Sequence, residues 1–249
     1  MSPAFPPVRA MATSLDRIKP LGIVGGALFL ASRILARMTG GRVQLLLYRI
    51  MAQPVPPAAT VTIRRSSIRV EELNESDTRL SMLCRPADEL ARRFSTGSRC
   101  FAAWHGTQLA GFLWFTPGAY QEEEAHCVFK VRPEDRAVWD MDVQVAQRFR
   151  LGRTFALLWD TAFAAMRADG IEWSISRIDA FNQESLRSHE RLGARSIGWV
   201  AFLRLGFLRL MLTSEGSLQF QRVSRSPYPV LELSAPLRDE ARQGVATVT

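Results

Sequence analysis

The chain has 249 residues, 47% of them hydrophobic, and a formal net charge of +8 at pH 7. Such a length and composition build a sizeable core in one large domain or one domain with appendages, which excludes a wholly disordered chain. Nearly all the basic residues are arginines, Lys19 and Lys130 being the exceptions, so the basic surface is either an ordinary solvated one or one that attracts phosphate groups; no zinc-finger or RNA-binding signature accompanies them, and nucleic acid is not an expected partner.

Residues 1–20 contain Pro and Ser and read as poorly ordered. Leu21 to Ser32 follows without a charge until Arg33. It is shorter than the ~20 apolar residues that span a bilayer, and the Ser-Arg-Ile-Leu-Ala-Arg after it is not a clear signal-peptidase site. As a helix, residues 27–38 place Arg33 and Arg37 one turn apart beside Leu30, Ile34, Leu35 and Met38. Such a helix either packs on the domain as an arm or lies in the interface of an anionic membrane. Gly40-Gly41 ends it. The apolar run Val43–Ile50 reads as a buried strand, and Gln53-Pro-Val-Pro-Pro-Ala-Ala as a linker.

Ser76 is expected to cap a short helix through Leu83, and Pro86 to start another with Leu90 and Phe94 facing inward. Cys100–His105 and Leu109–Phe115 flank Gly106-Thr107 as a hairpin. Tyr120–Val131 reads as a third antiparallel strand and Ala137–Val145 as a fourth. Strict alternation on the fourth puts Trp139, Met141, Val143 and Val145 on one face, and Asp140, Asp142 and Gln144 on the other. Thr154–Asp169 is a helix stopped at Gly170, Ile171–Ile178 a strand and Asn182–Leu192 a helix. Trp199–Leu205 and Phe207–Thr213 form a hairpin around Gly206. Leu218–Val223 and Val230–Leu233 read as edge strands.

Short helices, antiparallel strands, then one strand-helix-strand unit and a hairpin imply an α+β fold with a mixed, mostly antiparallel sheet. The expected organisation is an N-terminal helix, strand and linker over 1–58, a main domain over 59–215 and an extension over 216–249. Cys84, Cys100 and Cys127 are odd in number and lack metal spacing, so they read as core thiols in a reducing compartment. His105, His126 and His189 are dispersed, and no metal site is expected.

Asn182, Ser185, His189 and Gly193, directly after a strand, match the Asn-x-x-Ala/Ser-x-x-x-Tyr-x-x-x-Gly pattern of the GCN5-related N-acetyltransferases. The chain resembles that family over roughly residues 60–215. The resemblance implies an acyl-coenzyme A co-substrate, acetyl or longer, and an amine acceptor, either a small molecule or one linked to a sugar. It implies that the backbone at Val143 and Val145 pairs with the pantetheine amides. It places the pyrophosphate at Arg150, Leu151, Gly152, Arg153 and Thr154, where a helix N-terminus favours anions. This loop departs from the family's Gln/Arg-x-x-Gly-x-Gly/Ala pattern in either alignment, so arginine side chains have to stand in for close backbone approach. Asn182 and Ser185 sit by the coenzyme arm, and His189 takes the place of the tyrosine that protonates the leaving sulfur. Asn182 as a plain helix cap, and His189 as a half-buried packing residue, are the alternatives.

An ammonium acceptor also needs a base. Two carboxylates on a buried strand are costly unless paired or functional, so Asp142 and Asp140 are either the base or structural partners of Arg177. Glu122, Glu123 and Glu124 are further candidates. The expected activity is N-acyl transfer in the cytoplasm, at the inner face of the membrane if the N-terminal helix docks there. The alternatives are an acyl-carrier-protein donor, a lipid-linked acceptor at a membrane, or a non-catalytic interaction protein on the same scaffold. Acceptor identity and oligomeric state are left open by the sequence.

Overall fold

Period-two patterning and turn chemistry set most of the elements. The computed structural model describes residues 22–59, 66–150, 152–222 and 228–236. In chain order they form α1 (Gly22–Met38), β1 (Val43–Pro54), β2 (Ile68–Leu73), α2 (Ala87–Ser95), β3 (Arg99–His105), β4 (Gln108–Pro117), β5 (Ala119–Glu122), β6 (Cys127–Arg132) and β7 (Ala137–Val145). Then come α3 (Thr154–Ala168), β8 (Trp173–Asp179), α4 (Gln183–Glu190), β9 (Arg195–Leu205), β10 (Leu208–Thr213), β11 (Leu218–Arg222) and β12 (Val230–Ser234). The class is α+β, with mostly antiparallel strands and few helices. Val223 and residues 1–21, including the expected N-terminal tail, lie outside the described residues.

The chain divides into two compact units, one gathering Pro54–Tyr120 and Val131–Ser174, the other the described residues of 12–53, 121–130 and 175–249. In the first unit the strands run β7-β4-β3-β2, each antiparallel to its neighbour. One face of this sheet packs on α2 and a 3-10 turn over Thr78–Leu83, with Leu80, Leu83, Leu90, Phe112 and Trp114 in one cluster. Phe94 of α2 meets Trp114 edge-on at 5.0 Å. The other face meets α3, whose Leu157, Leu158, Trp159, Ala162, Phe163 and Met166 are buried. Burial of this amphipathic stripe, rather than helix propensity, holds α3 in place.

Two expectations change here. The Thr78–Leu83 turn is capped by Asp77, not Ser76: the Asp77 carboxylate accepts from the Arg79 amide at 2.9 Å, while the Ser76 hydroxyl bonds Asn74 at 2.7 Å. The stretch expected as one strand over Tyr120–Val131 is broken into β5 and β6. Glu122 turns its carboxylate back to accept from the Ala125 amide, and His126 takes a left-handed φ of 46°, a conformation that ends strand pairing.

The second unit orders its strands β11-β10-β9-β1-β8. The apolar run at Val43 is indeed a strand, and it lies between β8 and β9, antiparallel to β9 from Val43↔Leu205 onward. Alternation then splits it: Tyr48 and Ile50 are buried, while Val43, Leu45 and Leu47 are only half-buried. β9 and β10 make the expected hairpin. A three-stranded sheet, β12-β6-β5, adds Phe129 edge-on to Phe202 at 6.4 Å. No described helix is long and apolar enough to cross a membrane.

All three cysteines are free; Cys100 and Cys127 are buried, Cys84 exposed. Burial pushes the Cys100 thiol up and the Cys127 thiol up to about 12. Thiolate is the reactive form. Titration of the native protein with a thiol reagent at pH 8 is therefore expected to show one fast equivalent, lost in Cys84→Ser, with the other two reacting only on unfolding. Fast modification of Cys127 would contradict the fold of β6.

Candidate functional site

β7 carries the first group of candidate residues, and a bulge decides how they point. Trp114 pairs with Asp142 and the next residue, Phe115, with Asp140, so Met141 is the extra residue. Directly opposed residues share a face and consecutive residues do not. Asp142 therefore lies on the Trp114 side with α2, and Asp140 on the opposite side. This corrects the expectation that the two carboxylates share a face. Met141 packs against the same cluster as Trp114.

Asp142 is held by arginines. Arg85 reaches it from Nε and Nη2, both at 3.0 Å, and Arg93 from Nη1 at 3.0 Å. Gln144 Nε2 approaches at 3.4 Å, and Glu89 binds Arg93 at 2.5 Å. Arg85, Arg93 and Asp142 have side chains only 6%, 11% and 9% exposed. Two carboxylates against two guanidiniums make a charge-balanced network, the arrangement buried ions require. Burial pulls Arg93 down, but the carboxylates of Asp142 and Glu89 outweigh it and hold the guanidinium above its ordinary value. The guanidiniums also lie over rings, Arg85 over Phe112 at 5.2 Å and Arg93 over Trp114 at 5.1 Å. Sequence reading missed both arginines. The only local signal was the Glu89/Arg93 spacing of one helical turn.

Val143 and Val145 continue β7, opposite Leu113 and Gly111. The loop after them closes on itself. The amides of Phe149, Arg150 and Gly152 donate to the carbonyls of Ala146, Gln147 and Phe149 at 2.8, 3.3 and 3.1 Å. Those three donors point along the turn rather than outward, unlike a phosphate-cradling loop. Arg153 precedes α3 without a side-chain cap, and Thr154, the first helical residue, is buried. Arg150 Nε donates to the Val145 carbonyl at 3.2 Å. Leu151 lies outside the described residues.

The second group belongs to the other unit. Asn182 caps α4, its side-chain oxygen accepting from the Ser185 amide at 3.2 Å, and Gly193 ends the turn after α4 at φ 86°. His189 is buried, with Nδ1 2.9 Å from the Ser185 carbonyl. A carbonyl only accepts, so Nδ1 carries a hydrogen.

Glu122, also in this unit, is buried; it accepts from Arg177 at 2.7 Å, and the Arg177 guanidinium lies 4.6 Å above the Tyr48 ring. Arg177 thus serves Glu122, and Arg85 and Arg93 take the place at Asp142 expected for it. Burial pushes the Tyr48 hydroxyl far above its ordinary range. Glu123 and Glu124 are exposed; Glu123 accepts from the Tyr228 hydroxyl at 3.0 Å and Glu124 from Gln44 at 3.3 Å. Among the described residues, no three His, Cys, Asp or Glu gather as a metal group.

No family model matches the sequence, and no curated protein matches it. Solved structures align with it loosely. A functionally unknown conserved protein from Staphylococcus epidermidis ATCC 12228 superposes with a TM-score of 0.46 at 11% identity, over 68% of this chain and 65% of that one. A putative acetyltransferase from the GNAT family of Novosphingobium aromaticivorans DSM 12444 gives 0.44 at 19%, over 64% of each chain. An aminoglycoside acetyltransferase from an uncultured soil metagenomic sample gives 0.40 at 15%, over 51% of this chain and 91% of that one. The chain spans less than two thirds of the length of the first two. With superpositions this loose, the α+β class rests on the strand pairing itself.

Proposed function

We propose that the protein is an N-acyltransferase that takes an acyl group from acyl-coenzyme A to an amine by direct attack. The observation that carries this reading is the His189 ring, fixed by its Nδ1–H on the Ser185 carbonyl within the Asn182-to-Gly193 pattern. With Nδ1 committed, Nε2 is the nitrogen that passes a proton. The acceptor nitrogen bonds to the thioester carbonyl carbon, the carbon–sulfur bond breaks, and the departing thiolate takes the Nε2 proton of the imidazolium. The proton shed by the acceptor amine goes to a carboxylate. Asp142 has its oxygens on Arg85 and Arg93, so we assign it a positioning role.

Phosphate binding follows from charge. The inward-bonded amides favour recognition by Arg150 and Arg153 side chains, together with the N-terminal end of α3. Calorimetric titration of the full chain with acetyl-coenzyme A is expected to give saturable binding. His189→Ala should leave that binding intact and lower kcat about 100-fold. Absence of heat with every acyl-coenzyme A from short to long chain would withdraw the reading.

A further inference from the structure

One face of the second unit's sheet carries an apolar field that is only partly covered. Val43, Leu45 and Leu47 of β1 pair with Leu205, Leu203 and Ala201 of β9. Those last three pair with Leu208, Leu210 and Leu212 of β10, and Leu210 and Leu212 pair with Phe220 and Leu218 of β11. Opposed residues share a face, so these positions make a continuous apolar field across four strands. None of them is buried; Leu205 is 47%, Leu218 52% and Phe220 78% exposed. The reverse face holds Tyr48, Val200, Phe202 and Met211, all buried.

Exposed apolar fields of this extent mark interaction surfaces, and the charges around this one select its partner. Arg49, exposed, continues the same face of β1. At the other end the Gly206 amide donates to the Arg42 carbonyl at 2.7 Å. That bond sets the turn after α1 beside the β9–β10 tip, where Phe207 is 65% exposed. α1 adds exposed Met38, Ile34 and Leu35 together with exposed Arg33 and Arg37. No Asp or Glu occurs from Arg17 to Val70 or from Arg191 to Ser214. Two copies docked through this face would bring arginine rims together with no carboxylate on these strands to answer them.

We infer that this face, with α1, seats on an anionic lipid surface. The leucines and Phe207, Phe220 and Met38 enter the acyl boundary, and Arg33, Arg37, Arg42 and Arg49 stay at the headgroups. This holds whether or not the protein transfers acyl groups.

The test is sedimentation of the full chain with vesicles of phosphatidylglycerol and phosphatidylcholine, against phosphatidylcholine alone. Binding to the anionic vesicles is expected, falling as salt shortens the screening length. Phe207→Ser with Phe220→Ser should weaken partitioning about tenfold or more, and Arg33→Gln with Arg37→Gln about fivefold per arginine. These side chains are exposed, so thermal melts of both double variants should match the parent. No binding to anionic vesicles, or equal binding to both kinds, overturns the inference. So does a concentration-dependent dimer that the two Phe→Ser changes dissociate, which would assign the face to a second copy of this chain.

Discussion

Asp142→Asn is expected to destabilise the protein by about 3 kcal/mol, because removing one partner of a buried ion pair strands the others. The change leaves Arg85 and Arg93 facing a neutral amide in a site where their side chains are 6% and 11% exposed. In a chain of this size that corresponds to a melting shift of about 2–4 °C per kcal/mol. The companion experiment pairs Asp142→Leu with Arg85→Met. If the network is a structural clamp between β7 and the α2 side of the sheet, the double change recovers part of what the single change loses, since hydrophobic replacement of a whole buried pair is often near neutral. The base originally expected at Asp142 makes the opposite prediction: an unaltered melt with turnover abolished. Circular dichroism melts alongside an acyl-transfer assay separate the two, and normal stability in Asp142→Asn would return Asp142 to the chemistry.

The network also shows where sequence reading stops. Hairpins were legible because Gly106-Thr107 and Gly206 are local signals, and β1 was legible as an apolar run. The Met141 bulge was not. Nothing in Val-Trp-Asp-Met-Asp-Val-Gln-Val marks which residue leaves the ladder, and one extra residue reverses every face assignment on one side of it. Arg93 meets Asp142 across 49 residues of sequence, and Arg85 across 57. Such pairings follow from tertiary packing, which single-chain periodicity does not encode. The same limit applies to the contact of Arg177, one of two readings for the β7 aspartates, with Glu122, which sits in an acidic run that reads as solvated surface. Asn182 was legible because capping is a local interaction; the burial of His189 was not.

Gly111→Ala is expected to be costly at the same strand. A Cβ at Gly111 would stand 2.7 Å from the Gln144 carbonyl oxygen, 3.1 Å from Leu158 Cδ1 and 3.3 Å from Val145 Cα. Two of these three are backbone atoms of β7, which cannot rotate away, so β7 has to move off β4 or α3 has to lift. Overpacking of this kind costs about 1–3 kcal/mol, and the displaced segment is the one proposed to pair with the coenzyme arm. Gly152→Ala supplies the contrast. Its Cβ would meet only the Phe149 carbonyl oxygen, at 3.4 Å, and its φ is not in the left-handed range. Stability there should change by no more than about 0.5 kcal/mol. The pair separates two ways of holding a pyrophosphate. If arginine side chains hold it, Gly152→Ala leaves acetyl-coenzyme A affinity unchanged, while Gly111→Ala weakens it through the shifted strand. A large affinity loss in Gly152→Ala, with its melt intact, would show phosphate against the loop backbone and would overturn the assignment to Arg150 and Arg153.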